Sequence, residues 1–185
     1  MRKLFMTGAA AIALGCTGVA MGADMPKNFW TTPTIHGYGK IHYVADSSYK
    51  PRADQTYKIV FALTKGAKQP GEVNPALDRV ARSVNLYVAA GVPLKQLKFV
   101  AVAYGEATPL VLDDVQYRAK FGVANPNLAL VEELRKAGVD VSVCAQAVAE
   151  HDFQYDWVDK HVTLALSGLT TVTTLEHDGY VLMPL

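Results

Sequence analysis

From Tyr57 to its end this chain alternates short β-rich runs with helical stretches, and that rhythm restricts the fold more than any other feature. The run 57–63 (YKIVFAL) reads as the first strand. Asn74-Pro75 then supplies an N-cap and a proline at the first helical position. Leu77, Ala81, Val84 and Val88 follow on one stripe, and Gly91 marks the stop. Residues 97–104 are apolar almost throughout, as befits a strand covered on both faces. One or two short helices are predicted over 107–121. A helix over 127–137 points Leu128, Val131 and Leu134 inward, with Gly138 as its stop. A third strand, 139–143, runs directly into Cys144. Then come a helix over 145–150, a strand over 162–166, a helix over 168–177 despite its threonines, and a last strand over 180–183. Strands separated by helices pair in parallel through right-handed crossovers. The fold class is therefore α/β: a three-layer α/β/α sandwich with a mainly parallel sheet of about five strands.

The residues before Tyr57 read differently. Arg2 and Lys3 precede an apolar, small-residue run, and no charge occurs again until Asp24. Residues 1–23 are predicted to be a secretory signal peptide, with cleavage after Ala20 or Gly22. Two alternatives are a retained membrane anchor and a lipoprotein, in which Gly15-Cys16 is the processing site and Cys16 carries the lipid. Export places the protein in the periplasm, with membrane contact only during passage. Residues 24–56 are an N-terminal extension in which Pro26, Pro33, Pro51, Gly37 and Gly39 break any long period. Phe29, Trp30, Tyr38 and Tyr43 give it apolar groups to lay on the body or on a neighbouring subunit. A short extended segment or hairpin is expected over 35–43.

Charge excludes one class of function. The 185 residues hold 18 Lys+Arg against 17 Asp+Glu, so no basic excess exists to neutralise phosphates, and nucleic acid is not an expected partner. Losing residues 1–23 removes two bases and no acid, which turns the balance from +1 to −1. No GxGxxG follows the first strand and no GxxxxGKS or GxxxxGKT occurs, so nothing points to a nucleotide. The histidines His36, His42, His151, His161 and His177 show no HxH or HExxH spacing, and no metal or other cofactor is expected. Asp113-Asp114 and Glu132-Glu133 are adjacent pairs whose side chains diverge on a helix, better suited to solvated faces than to acid–base chemistry.

In open α/β sheets ligands collect beyond the carboxyl ends of the strands. Those ends here are Thr64 and Lys65, then Tyr104, Gly105 and Glu106, then Cys144, then Ser167. Cys144 is the candidate catalytic residue. At a strand-to-helix junction its sulfur lies by free N–H groups and the positive end of a helix, which favours the thiolate. The competing reading is a buried cysteine that packs like a small hydrophobe. After cleavage Cys144 is also the chain's lone cysteine, hence a free thiol or an intermolecular partner. Tyr155 and Trp157 are read as core. A thiol enzyme or a metal-binding redox protein would need a base or a ligand set that the sequence does not assemble.

The strand over 57–63, the helix start Asn74-Pro75-Ala76-Leu77, the turn Ala90-Gly91-Val92-Pro93 and the strand-Cys element ending at Cys144 together resemble the DsrE/DsrF-like family. So does the closing Ala165-Leu166-Ser167-Gly168-Leu169-Thr170-Thr171 with Gly179-Tyr180. The likeness covers 57–185 and is nearest the exported, single-domain branch. It implies an α/β/α sandwich that assembles into homo-oligomers, trimers or hexamers, and a sulfur-relay role. Carried over, the role falls on Cys144, which would hold sulfane sulfur as a persulfide. The partners implied are sulfur donor and acceptor thiol proteins or small sulfane compounds. A non-catalytic binding or assembly module with an inert Cys144 is the alternative.

Overall fold

The computed structural model describes residues 29–185. The predicted signal peptide, its cleavage sites and Cys16 lie outside the described residues. Five strands form one sheet: β1 (Tyr57–Leu63), β2 (Leu97–Ala103), β3 (Asp140–Cys144), β4 (Thr163–Ala165) and β5 (Val181–Pro184). Their order is β4-β3-β2-β1-β5, and every neighbouring pair is parallel. Five helices alternate with them: α1 (Pro75–Ala89), α2 (Asp114–Phe121), α3 (Leu128–Lys136), α4 (Ala145–Glu150) and α5 (Gly168–His177).

Local chemistry sets these boundaries. The Asn74 side chain accepts from the amides of Ala76 and Leu77, and Pro75 occupies the position where an N–H would have no partner. Gly91 closes the helix with φ +94°, a conformation that a side chain disfavours. Helix α5 forms although five of its ten residues are threonine or valine. Ser167 caps it by accepting from Leu169 N–H, and Thr173 Oγ1 bonds back to the Leu169 carbonyl at 2.9 Å.

Topology makes the two faces unequal. From β1 to β4 the chain steps across the sheet in one direction, so right-handed crossovers leave their helices on one face. There Phe61, Leu63, Phe99, Ala101, Val141 and Val143 pack under Leu77, Val80, Val84, Leu130 and Leu134. The last crossover runs back from β4 to the far side of β1, so α5 lands on the opposite face. It covers a small cluster in which Val172, Leu175 and Tyr180 pack on Val60, Val100 and Val102. The α/β/α sandwich has one thick layer and one thin one.

Two details of the sequence reading change. In α3 the buried residues are Leu130, Val131 and Leu134, while Leu128 is only half-buried at the first turn. Trp157 packs against the core as expected, but Tyr155 is exposed in its 3-10 turn.

Residues 29–56 fold back on their own subunit. Thr31 and Ile41 pair as a single antiparallel bridge, in place of a hairpin over 35–43. The groups buried in this segment are Ile35 and Ile41, whereas Trp30 and Tyr43 remain exposed. Asn85, on the buried face of α1, carries the docking. Its Oδ1 accepts from Thr34 and Ile35 N–H at 3.0 and 2.8 Å, and its Nδ2 donates to the Tyr38 and Gly39 carbonyls at 3.0 Å each. A Cβ on Gly39 would collide with the backbone of Ala81 and Arg82, so only glycine allows this approach. Among the described residues no helix is long and apolar enough to cross a membrane.

Candidate functional site

The pairing register assembles the site. Ala103 stands opposite Val143, which brings the next residues, Tyr104 and Cys144, side by side at the strand ends. On the other flank Cys144 stands opposite Ala165, two residues before Ser167. Side chains alternate along a strand. Val143 therefore points into the thick layer, and Cys144 points to the face that α5 covers.

Cys144 is the N-cap of α4. Its sulfur accepts the Ala147 amide at 3.3 Å, and the residue is only 5% exposed. A cavity of about 380 Å³ opens beside it, lined by Tyr104, Gly105, Gln146, Glu150 and the first turn of α5. That turn sits directly on Tyr104. A Cβ built on Gly168 would lie 3.0 Å and 3.1 Å from ring atoms of Tyr104, closer than nearly all real contacts. Gln146 Nε2 donates to the Leu166 carbonyl at 3.1 Å and joins the start of α4 to the loop before α5. Both helix starts are capped from within, α4 by the Cys144 sulfur and α5 by Ser167.

The candidate strand ends separate into two groups. Tyr104, Gly105, Cys144 and Ser167 meet at this cavity. Glu106 lines a different one of about 290 Å³ on the other side of the sheet, with Lys68, Asn74, Tyr117 and Asn127. Thr64 and Lys65 line neither. Gln146, Glu150 and Leu169 belong to the Cys144 cavity and escaped the sequence reading. Each stands on a helix rather than at a strand end, and only the path of α5 brings Leu169 to the cysteine.

Several of the remaining titratable groups have structural partners. His151 follows α4 as its C-cap, with Nε2 2.9 Å from the Gly105 carbonyl oxygen and its ring stacked on Phe153. It ties the helix to the loop after β2 and does not contact the thiol. His36 bonds the Thr32 carbonyl, His42 stacks on Phe29, and His161 pairs with Asp159. Asp113 caps α2. Asp114 meets Arg118 at 2.7 Å and the Asn125 amide at 2.8 Å, and the Arg118 contact, then that amide, holds its carboxyl below the ordinary value. Glu132 and Glu133 converge on Lys136, whose hydrogen bond keeps the Glu132 carboxyl low. Asp113 and Asp114 thus serve as a cap and an ion pair, and Glu132 and Glu133, expected to diverge, share one lysine. Among the described residues no group of three or more His, Cys, Asp or Glu could hold a metal ion.

A family model described as the DsrE/DsrF-like family matches residues 57–185, the sheet and all five helices. The chain belongs to the DsrE/DsrF-like family. That family is associated with sulfur relay. No curated protein matches the chain. A solved structure of a protein of unknown function from Methanobacterium thermoautotrophicum is 17% identical. It aligns with a TM-score of 0.49 over 70% of this chain and 99% of its own.

Proposed function

We propose that this DsrE/DsrF-like protein is an exported sulfur carrier that holds sulfane sulfur as a persulfide on Cys144. The observation that carries the reading is the placement of the thiol. It caps α4 at the carboxyl end of a central strand, within hydrogen-bond reach of a backbone amide and beside a cavity. The Ala147 amide is placed to hold the charge of a bound persulfide or of the sulfur that departs during exchange. In loading, the Cys144 thiolate attacks the outer sulfur of a donor persulfide. A new S–S bond forms, the donor's S–S bond breaks, and the donor leaves as a thiolate with the bonding pair. In unloading, an acceptor thiolate attacks the outer sulfur on Cys144 and the Cys144 thiolate leaves. The exchange is redox-neutral and needs no cofactor. Export rests on the composition of residues 1–23, and assembly into a trimer or hexamer rests on the family likeness.

Intact mass of protein prepared without reductant, before and after a sulfane donor, tests the carrier reading. Wild type should gain the mass of sulfur, lose it to reductant, and place it on Cys144, while Cys144→Ser gains none. The same spectrum reads the mature N-terminus. The near-complete burial of the thiol favours a second reading, a binding or assembly module in which Cys144 is inert. That reading requires a thiol that resists alkylation until the protein unfolds.

A further inference from the structure

Beyond the presence of a carrier thiol, the cavity carries a charge pattern of its own. Glu150, the last residue of α4, lines it, and among the described residues no lysine, arginine or histidine does. Glu150 is exposed and forms no ion pair among the described residues. The imidazole of the adjacent residue, His151, is turned to the Gly105 carbonyl. Helix starts often hold anions, but one first-turn amide of each helix is taken here: Ala147 N–H by the cysteine sulfur and Leu169 N–H by Ser167 Oγ. Among the described residues an incoming anion thus meets one carboxylate, a sulfur that itself becomes anionic when it reacts, and no compensating side-chain cation.

Resting on the carrier reading above, we propose that Glu150 selects sulfane donors by charge, admitting neutral or cationic carriers to Cys144 and holding off small inorganic anions such as thiosulfate. Thiosulfate brings two negative charges to the approach. Its sulfane sulfur would bond to Cys144 as its S–S bond breaks and sulfite leaves with the electron pair. A neutral organic persulfide undergoes the same displacement without that repulsion. Glu150 therefore determines specificity and takes no part in the bond changes.

Three methanethiosulfonates of different charge test this: the cationic trimethylammonioethyl, the neutral methyl and the anionic sulfonatoethyl reagents. In each, the Cys144 thiolate attacks the sulfenyl sulfur and methanesulfinate leaves. The neutral reagent gives the reference rate within each variant. In wild type at low salt the cationic reagent should outpace the anionic one, and Glu150→Gln should shrink that ratio about five-fold. Glu150→Lys should reverse the preference and speed loading by thiosulfate. About 0.5 M salt should erase the difference between wild type and Glu150→Gln, since the screening length falls to a few ångströms. An equal ratio in wild type and Glu150→Gln, while sulfur still loads on Cys144, overturns the charge selection alone. A thiol that none of the three labels in the folded protein overturns the carrier reading and this inference with it.

Discussion

Asn85 shows how one polar residue on an apolar helix face can organise a whole segment. It is fully buried, yet both ends of its amide are satisfied by the backbone of residues 34–39. Asn85→Ala would leave two amides and two carbonyls without partners. It should cost about 2–4 kcal/mol, read as a lower urea midpoint, and should expose residues 29–56 to limited proteolysis. Gly168 plays the corresponding part at the site. In Gly168→Ala the added methyl must displace either the Tyr104 ring or the first turn of α5. The expected result is a loss of about 1–3 kcal/mol together with faster alkylation of Cys144 in the folded protein, followed by thiol labelling under native conditions. An unchanged labelling rate would show that α5 does not control access to the sulfur. Neither role is legible in the sequence. An asparagine within an amphipathic stripe looks like a flaw in the pattern, and a glycine after a serine looks like an ordinary helix start.

At the scale of elements, local signals and tertiary contacts overlap most closely in α1. Asn74 caps the helix and also donates to the Lys65 carbonyl at 2.8 Å, which binds the loop after β1 to the helix start. Asn74→Ala should cost about 1–2 kcal/mol from the lost cap, measured by thermal or urea unfolding. In α2, Asp114 pairs with Arg118 and accepts the Asn125 amide, and its carboxyl is held low in the folded state. A carboxyl lowered on folding adds stability that is present above its unfolded value and is lost as pH falls through the folded one. The stability gap between wild type and Asp114→Asn should therefore be widest at neutral pH and close on acidification into the carboxylate range. A gap that stays constant with pH would assign the effect to packing. Capping residues, glycine stops and apolar runs placed these elements correctly in advance, because each acts over a few neighbouring residues. The facing of α3 was less legible, since which side of a first turn is buried depends on what packs over it.

For the whole molecule, the strand order divides the sheet into a well-covered face and a sparsely covered one. Among the described residues α5 is the one helix on the thin side, and it leaves Leu166 and Leu169 exposed at 72% and 79%, both next to the Cys144 cavity. Assembly of copies as proposed would cover such groups. Leu169→Glu should then lower the oligomeric state in analytical ultracentrifugation while leaving the far-ultraviolet circular dichroism spectrum unchanged. An oligomer that persists unchanged would place the interface elsewhere, and a wild-type monomer would remove the assembly proposal.

By itself the sequence determined the succession of strands and helices, the parallel α/β class and the position of Cys144 at a strand-to-helix junction. Caps, turn glycines, β-branched runs and a strand-end cysteine speak locally, so they can be read without knowing what lies across the fold. Only the tertiary structure decided that the final crossover returns to the far side of β1. That return carries α5 to the opposite face and sets Gly168 on Tyr104, beside the thiol. It also decided that residues 29–56 dock on α1 through Asn85. Glu150 joins the Cys144 cavity for the same kind of reason. Strand order and register are set by the burial of the whole chain at once, and no short stretch of residues carries that information.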